Sequence, residues 1–107
     1  ANHLVARLNK KLVGYAGFWF IIDEAEIVNI AVHPDYRRKS IGELLLKEIL
    51  SLAKSKGAKI VTLEVRETNE PAKSLYEKFD FQLIAIRKNF YKDTNENACV
   101  YWLNPIK

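Results

Sequence analysis

The sequence predicts a mixed α/β (α+β) fold in one domain, residues 1–107. Three observations carry this. Short apolar runs of strand length flank two amphipathic segments of helical period. The first runs are separated by turn signals only two or three residues long, which makes them antiparallel neighbours. A chain of 107 residues, 49% apolar and 28% charged, suits a single globular core.

The elements follow in order. His3 to Leu8 alternates, with Leu4, Ala6 and Leu8 on one face, and reads as a short strand. Asn9-Lys10-Lys11 is a turn signal, and Leu12 to Ile22 is a long strand completing a hairpin. After Asp23-Glu24, the run Glu26 to Val32 is apolar at nearly every position, as a central strand is. Ile41 to Lys56 is a helix with Ile41, Leu44, Leu45, Ile49, Leu52 and Ala53 on its apolar stripe, and Gly57 is its left-handed cap. Lys59 to Val65 is a buried strand. Asn69 to Phe79 is a second helix, with Pro71 in its first turn and Ala72, Leu75, Tyr76 and Phe79 on one stripe. Phe81 to Arg87 and Ala98 to Leu103 are two further strands joined by the polar loop Lys92 to Asn97. The third strand, first helix and fourth strand form a parallel unit, and the flanking pairs are antiparallel.

Composition narrows the function. No apolar run reaches the ~18–20 residues of a membrane span, and the start lacks a signal peptide's pattern. The single cysteine, Cys99, cannot form an internal disulfide, which points to a reducing cytoplasm. Two histidines and one cysteine make no convincing metal site, so no metal is expected. A net charge of +4 favours an anionic partner.

That partner has an obvious address. Arg37-Arg38-Lys39-Ser40-Ile41-Gly42 lies between the third strand and the first helix. N–H groups of a helix's first turn have no partner within the helix, and its dipole adds positive charge, so a phosphate is held there by backbone. A solvated basic loop that merely caps the helix is the plain alternative. A nucleotide or nucleic-acid phosphate would satisfy the same physics.

The stretch Asn29-Ile30-Ala31-Val32-His33-Pro34-Asp35-Tyr36-Arg37-Arg38-Lys39-Ser40-Ile41-Gly42 resembles the acyl-CoA-binding motif of the GNAT acetyltransferase superfamily. Leu63-Glu64-Val65-Arg66 and the segment from Asn69 to Phe81 are similar to the family's later motifs. Arg87-Lys88-Asn89-Phe90-Tyr91 resembles the R-x-N-Y-Y segment of its RimI-type branch, which acetylates protein N-termini. Three motifs in order make a specific signal. Ser40 and Asp80 stand where the family has glycines. The strand and two helices that usually precede the hairpin have no counterpart, so the domain is expected to be N-terminally truncated.

The resemblance implies a GNAT fold: a twisted, mostly antiparallel sheet with a central parallel pair that splays apart. It implies acetyl-CoA as co-substrate, with its pyrophosphate on backbone N–H groups from Arg38 to Glu43 and Arg37, Arg38 and Lys39 nearby. The loop residues Ser40, Ile41 and Gly42 belong to that contact. The pantetheine arm would lie along Asn29 to Val32, with Ile30, Ala31 and Val32 offering backbone groups. Asn69, Lys73 and Tyr76 complete the expected cofactor contacts, and Asn29 and Tyr91 the acceptor side.

For catalysis the resemblance implies Glu64 as general base and Tyr76 as the acid that protonates the departing thiolate. The residues agree. A carboxylate interrupting an apolar strand can face a cleft, where desolvation raises its basicity, and a phenol can donate to a thiolate. Their bland readings are a carboxylate paired with Arg66 or Lys59, and a core aromatic on a helix stripe. Asn69 reads equally as an N-cap. His33 reads as a turn residue, Cys99 as an inert core thiol, and Trp19 and Trp102 as core or interface.

The expected acceptor is a protein N-terminal α-amine, on a ribosomal protein, with a small-molecule amine as the alternative. A non-catalytic acyl-CoA-binding module is the competing class. Nucleic-acid binding through Arg37, Arg38, Lys39, Arg87 and Lys88 is disfavoured, because the basic residues lack aromatic interleaving. A homodimer is compatible with the sequence.

Overall fold

A computed structural model of the chain describes residues 2–37 and 40–106. The strands are β1 (Asn2–Leu8), β2 (Lys11–Ile21), β3 (Glu24–Val32), β4 (Ile60–Arg66), β5 (Gln82–Tyr91) and β6 (Glu96–Leu103). The helices are α1 (Ile41–Ser55) and α2 (Glu70–Lys78), with a one-turn 3-10 helix at Pro34–Tyr36. The six strands form one sheet in the order β1-β2-β3-β4-β6-β5. Only β3 and β4 are parallel; the other pairs are antiparallel, as expected.

Register assigns the two faces. Ile27 aligns with Leu63 and Phe18, and Leu63 with Tyr101, so these share a face. On that face α1 buries Leu45, Leu46, Ile49 and Ala53, and α2 buries Tyr76 against Tyr101 and Phe81. The opposite face carries Thr62, Glu64 and Arg66, aligned with Trp102, Val100 and Ala98 of β6.

Several local expectations change. Leu44 is 61% exposed, and Leu46 takes its place in the core. At 100° per residue the arc through Leu45, Leu46, Ile49 and Ala53 is centred some 150° from Leu44. Ile22 belongs to the β2–β3 turn, with φ +55°, rather than to the strand. Trp19 and Trp102 are not in the core but 46% and 38% exposed on the helix-free face, which leaves the interface half of that expectation standing.

Both helices close in the same way. Gly57 has φ +83°; its N–H donates to Lys54 O, and Ala58 N–H to Ala53 O. Asp80 has φ +70°; its N–H donates to Glu77 O, and Phe81 N–H to Tyr76 O. This is the Schellman closure, in which a left-handed residue turns the chain back on the last carbonyls. At the second site aspartate occupies the place glycine favours.

Candidate functional site: a groove at the splayed strands

Pairing between β3 and β4 runs only from Glu24/Ile60 to Ile27/Leu63. Beyond it β3 stays on β2 and β4 stays on β6, so the two part. Val28 marks the point: the β2–β3 register shifts there, because Gly17 faces Asn29 while Phe18 faces Ile27. An extra residue in one strand bends it and re-aims the side chains beyond the bulge.

The gap leaves backbone exposed. His33 N–H donates to Val13 O at 2.7 Å, which fixes the ladder's phase. Facing groups alternate along an antiparallel strand. Ala31 therefore turns its backbone toward β2, while Ile30 and Val32 turn theirs into the gap. The guanidinium Nε of Arg37 donates to Val32 O at 3.4 Å from that side.

A groove of about 830 Å³ follows the gap on the helix-bearing face. Ile30, Ala31 and Val32 form one wall, the start of α1 one end, and Asn69 and Tyr76 the other side. The first helical bond of α1 is Leu44 N–H to Ser40 O, so the N–H groups of Ile41, Gly42 and Glu43 remain available. The Ser40 side chain makes no cap bond, and its φ is +61°. Gly42 needs no special φ, and a Cβ there would meet only Leu75 and Val32 at 3.6 and 3.8 Å. Packing therefore does not demand glycine, whereas close approach of a ligand to the helix start would. The donors and this bare position fit a pyrophosphate. The Glu43 N–H is open while Lys78 (3.0 Å) and Lys47 (3.6 Å) hold its carboxylate, with Lys78 foremost in lowering its pKa.

Tyr76 is buried, and burial pushes its phenol up to about 12. Among the described residues no buried side-chain polar atom lacks a partner, and the Tyr76 hydroxyl bonds to no protein group. Its hydroxyl therefore opens on the groove it lines. Asn69 is an N-cap: its Oδ1 accepts from Ala72 N–H at 3.2 Å, which leaves its amide nitrogen for the groove.

A second hollow, about 480 Å³, lies where β3 leaves β4 on the helix-free face. It takes in Glu64, Tyr91, Phe90, Trp102, Glu24 and Glu26. Glu64 pairs with neither Arg66 nor Lys59. The Arg87 Nη1 sits 3.1 Å from both of its oxygens. The carboxylate is one-third exposed. Arg66 instead binds Asp93 and Glu96 and lies 4.1 Å over the ring of Tyr91. Burial foremost raises the Tyr91 phenol, with Glu64 adding to it.

Of the expected site residues, Ile30, Ala31, Val32, Arg37, Ser40, Ile41, Gly42, Glu43, Asn69 and Tyr76 meet at the groove, and Glu64 and Tyr91 at the second hollow. Arg38 and Lys39 lie outside the described residues. Two of the expected residues lie outside both hollows. Lys73 lines neither hollow, because its ammonium bonds to Glu67 O and Glu70. Asn29 lines neither, because its amide donates to the Tyr15 hydroxyl at 3.0 Å. His33 is a turn residue, its Nδ1 accepting from Asp35 N–H. Cys99 is buried, and burial foremost raises its thiol. Leu75 and Ala72 were legible as a core stripe and also line the groove. Phe90 and Trp102 had no pattern that placed them at the second hollow.

The Acetyltransferase (GNAT) family model matches residues 1–81. A Bacillus subtilis protein provisionally named a ribosomal protein bS18-alanine N-acetyltransferase is 45% identical over 103 residues, covering 96% of this chain and 68% of that one. The Haemophilus influenzae ribosomal protein bS18-alanine N-acetyltransferase is 41% identical, covering 86% of this chain and 64% of that one. The chain thus spans about two thirds of the length of these relatives. The crystal structure of the Escherichia coli ribosomal-protein-S18-alanine N-acetyltransferase superposes with a TM-score of 0.91 at 35% identity, over 99% of this chain and 69% of that one. An Elizabethkingia anophelis GNAT-family acetyltransferase with acetyl-CoA bound matches with a TM-score of 0.88 at 25% identity, over 95% of this chain and 74% of that one. Among the described residues no helix is long and apolar enough to cross a membrane.

Proposed function

The chain belongs to the acetyltransferase (GNAT) family, and from that premise we propose that it moves an acetyl group from acetyl-CoA to the N-terminal α-amine of a protein. The acceptor is a ribosomal protein, acting in the cytoplasm, and residues 1–107 work as one domain. The observation that carries this reading is the early end of β3–β4 pairing at Ile27/Leu63. It frees the backbone of Ile30 and Val32 along a groove running from the open N–H groups of α1 to Tyr76.

In this reading the start of α1 and Arg37 hold the pyrophosphate, and the edge of β3 holds the amides of the arm. Val32 N–H faces the gap and donates to the thioester oxygen as charge builds there. The acceptor enters from the helix-free face, with Tyr91 and Trp102 beside its first residue. Glu64 takes one proton from the ammonium, directly or through water. The neutral amine attacks the thioester carbon, a C–N bond forms and the C–S bond breaks. Tyr76, whose raised pKa keeps it protonated, gives its proton to the sulfur, and the second proton of the attacking nitrogen passes through water to the Tyr76 phenolate, leaving a neutral amide.

The test is calorimetry with acetyl-CoA followed by thiol release against alanine-starting peptides. The expected result is saturable binding and peptide-dependent release that Glu64→Gln lowers about 100-fold with acetyl-CoA affinity unchanged. Binding without release toward any amine would instead mark a cofactor-binding module, and equal activity of Glu64→Gln would remove Glu64 as base.

A further inference from the structure

Arg87 heads the basic segment whose role the motif leaves open, and the fold goes to some length to place it. Arg87 aligns with Ala98 of β6, and Ala98 with Arg66 of β4. Glu64 lies one same-face step from Arg66, so Arg87 must reach diagonally across β6 to meet it. Ala98, the small residue in register between them, leaves that path clear. The reach succeeds: one guanidinium nitrogen is 3.1 Å from both Glu64 oxygens.

Phe90 sets the direction of the reach. Residues three apart on a regular strand point to opposite faces. Here β5 is irregular between Arg87 and Tyr91; Asn89 has φ +52°, and its N–H donates to the Asn97 side chain at 3.0 Å. That irregularity reverses the parity and brings the ring of Phe90 to 4.2 Å from the Arg87 guanidinium carbon. A flat guanidinium stacked on a ring is held in one plane, which a lysine cannot imitate.

The pair is not there for stability. The Arg87 side chain is 55% exposed, and ion pairs at such sites contribute little to folding. What it does have is a location. Glu64, Glu24 and Glu26 all line the acceptor hollow, and among the ion pairs of the described residues only Glu64 has a cation.

We propose that Arg87, stacked on Phe90, is the positioning residue of Glu64. It fixes the carboxylate so that its free lone pairs face the incoming ammonium. It acts through Glu64 and touches neither acetyl-CoA nor the reacting carbon. This role rests on the reading of Glu64 as general base.

The experiment is a double-mutant cycle on the full chain, with kcat and KM measured for an alanine-starting peptide and for acetyl-CoA. Arg87→Met is expected to lower kcat about tenfold, with the acetyl-CoA KM within about twofold. In the Glu64→Gln background the same change should alter kcat by less than about twofold, because the group it positions is gone. Phe90→Leu, which leaves the ion pair but removes the stack, should lower kcat less than Arg87→Met and lose its effect in the same background. Additive losses in either cycle would overturn the positioning role while leaving the acetyltransferase intact. Absence of turnover by the unsubstituted chain would overturn the functional reading and this role together. Should Arg87→Met fail to fold, the Phe90→Leu cycle decides alone.

Discussion

The N–H of Phe81 donates to the carbonyl of Tyr76 at 3.1 Å, and the two rings stand 5.6 Å apart across the end of α2. The helix closure thus fixes the ring whose hydroxyl opens on the groove. Asp80 supplies the turn between them at φ +70°. A β-branched side chain tolerates that angle poorly. Asp80→Val should cost about 1–2 kcal/mol of stability by denaturant titration, and it should lower kcat by loosening Tyr76. Unchanged stability would mean that the closure does not depend on this angle.

Ser40 has the same handedness at the other end of the groove, and its hydroxyl caps nothing. Glycine relieves the steric cost and loses no bond. Ser40→Gly should raise stability by about 0.5–1 kcal/mol, net of glycine's extra unfolded-state freedom. Acetyl-CoA should bind at least as tightly by calorimetry. A weaker complex would show that the serine hydroxyl itself contacts phosphate.

Gly42 separates folding from binding. A Cβ fits the protein without crowding, and alanine is the better helix former by about 1 kcal/mol. Gly42→Ala should therefore unfold at higher temperature yet bind acetyl-CoA about tenfold more weakly, an effect of about 1.4 kcal/mol. Parallel thermal unfolding and calorimetry read the two effects, and affinity equal to the parent's would move the pyrophosphate elsewhere.

Tyr76 links catalysis to alkaline stability. Its folded phenol titrates at about 12 against an ordinary 10.0. A raised folded value means that stability is complete below about pH 10 and is lost as pH climbs toward 12. Two units correspond to about 3 kcal/mol at most. Tyr76→Phe should lack this component when denaturation midpoints are compared from pH 9 to 12, and its kcat at neutral pH should fall about 100-fold. A parent and variant that lose stability in parallel would contradict the burial-driven shift.

Element types and order were legible because periodicity and turn residues are local signals. Gly57, Pro71 and the Asn69 cap read correctly for that reason. The open N–H groups at the start of α1 were legible because helix ends have fixed chemistry. Glu64 was legible as a cleft carboxylate from its polar break in an apolar strand. Its partner was not. Arg66, two residues away, is the obvious choice in sequence, but the Asp93–Glu96 turn captures it. Asn29 likewise meets a partner set by strand pairing, the Tyr15 hydroxyl, whereas Lys73 bonds within its own turn to Glu67 and Glu70.

By itself, then, the sequence determined the strands, the helices and their caps, because each depends on neighbours within a few positions. Tertiary structure alone decided which of them meet. The order β4-β6-β5 sets Arg87 on the same face as Glu64 and one strand beyond β6, across which its side chain reaches the carboxylate. The bulge at Val28 parts β3 from β4 and sets Glu64 and Tyr76 on opposite faces of one opening. Those are matters of strand order and register, set by how all six strands share one sheet, and no single segment of the chain carries them.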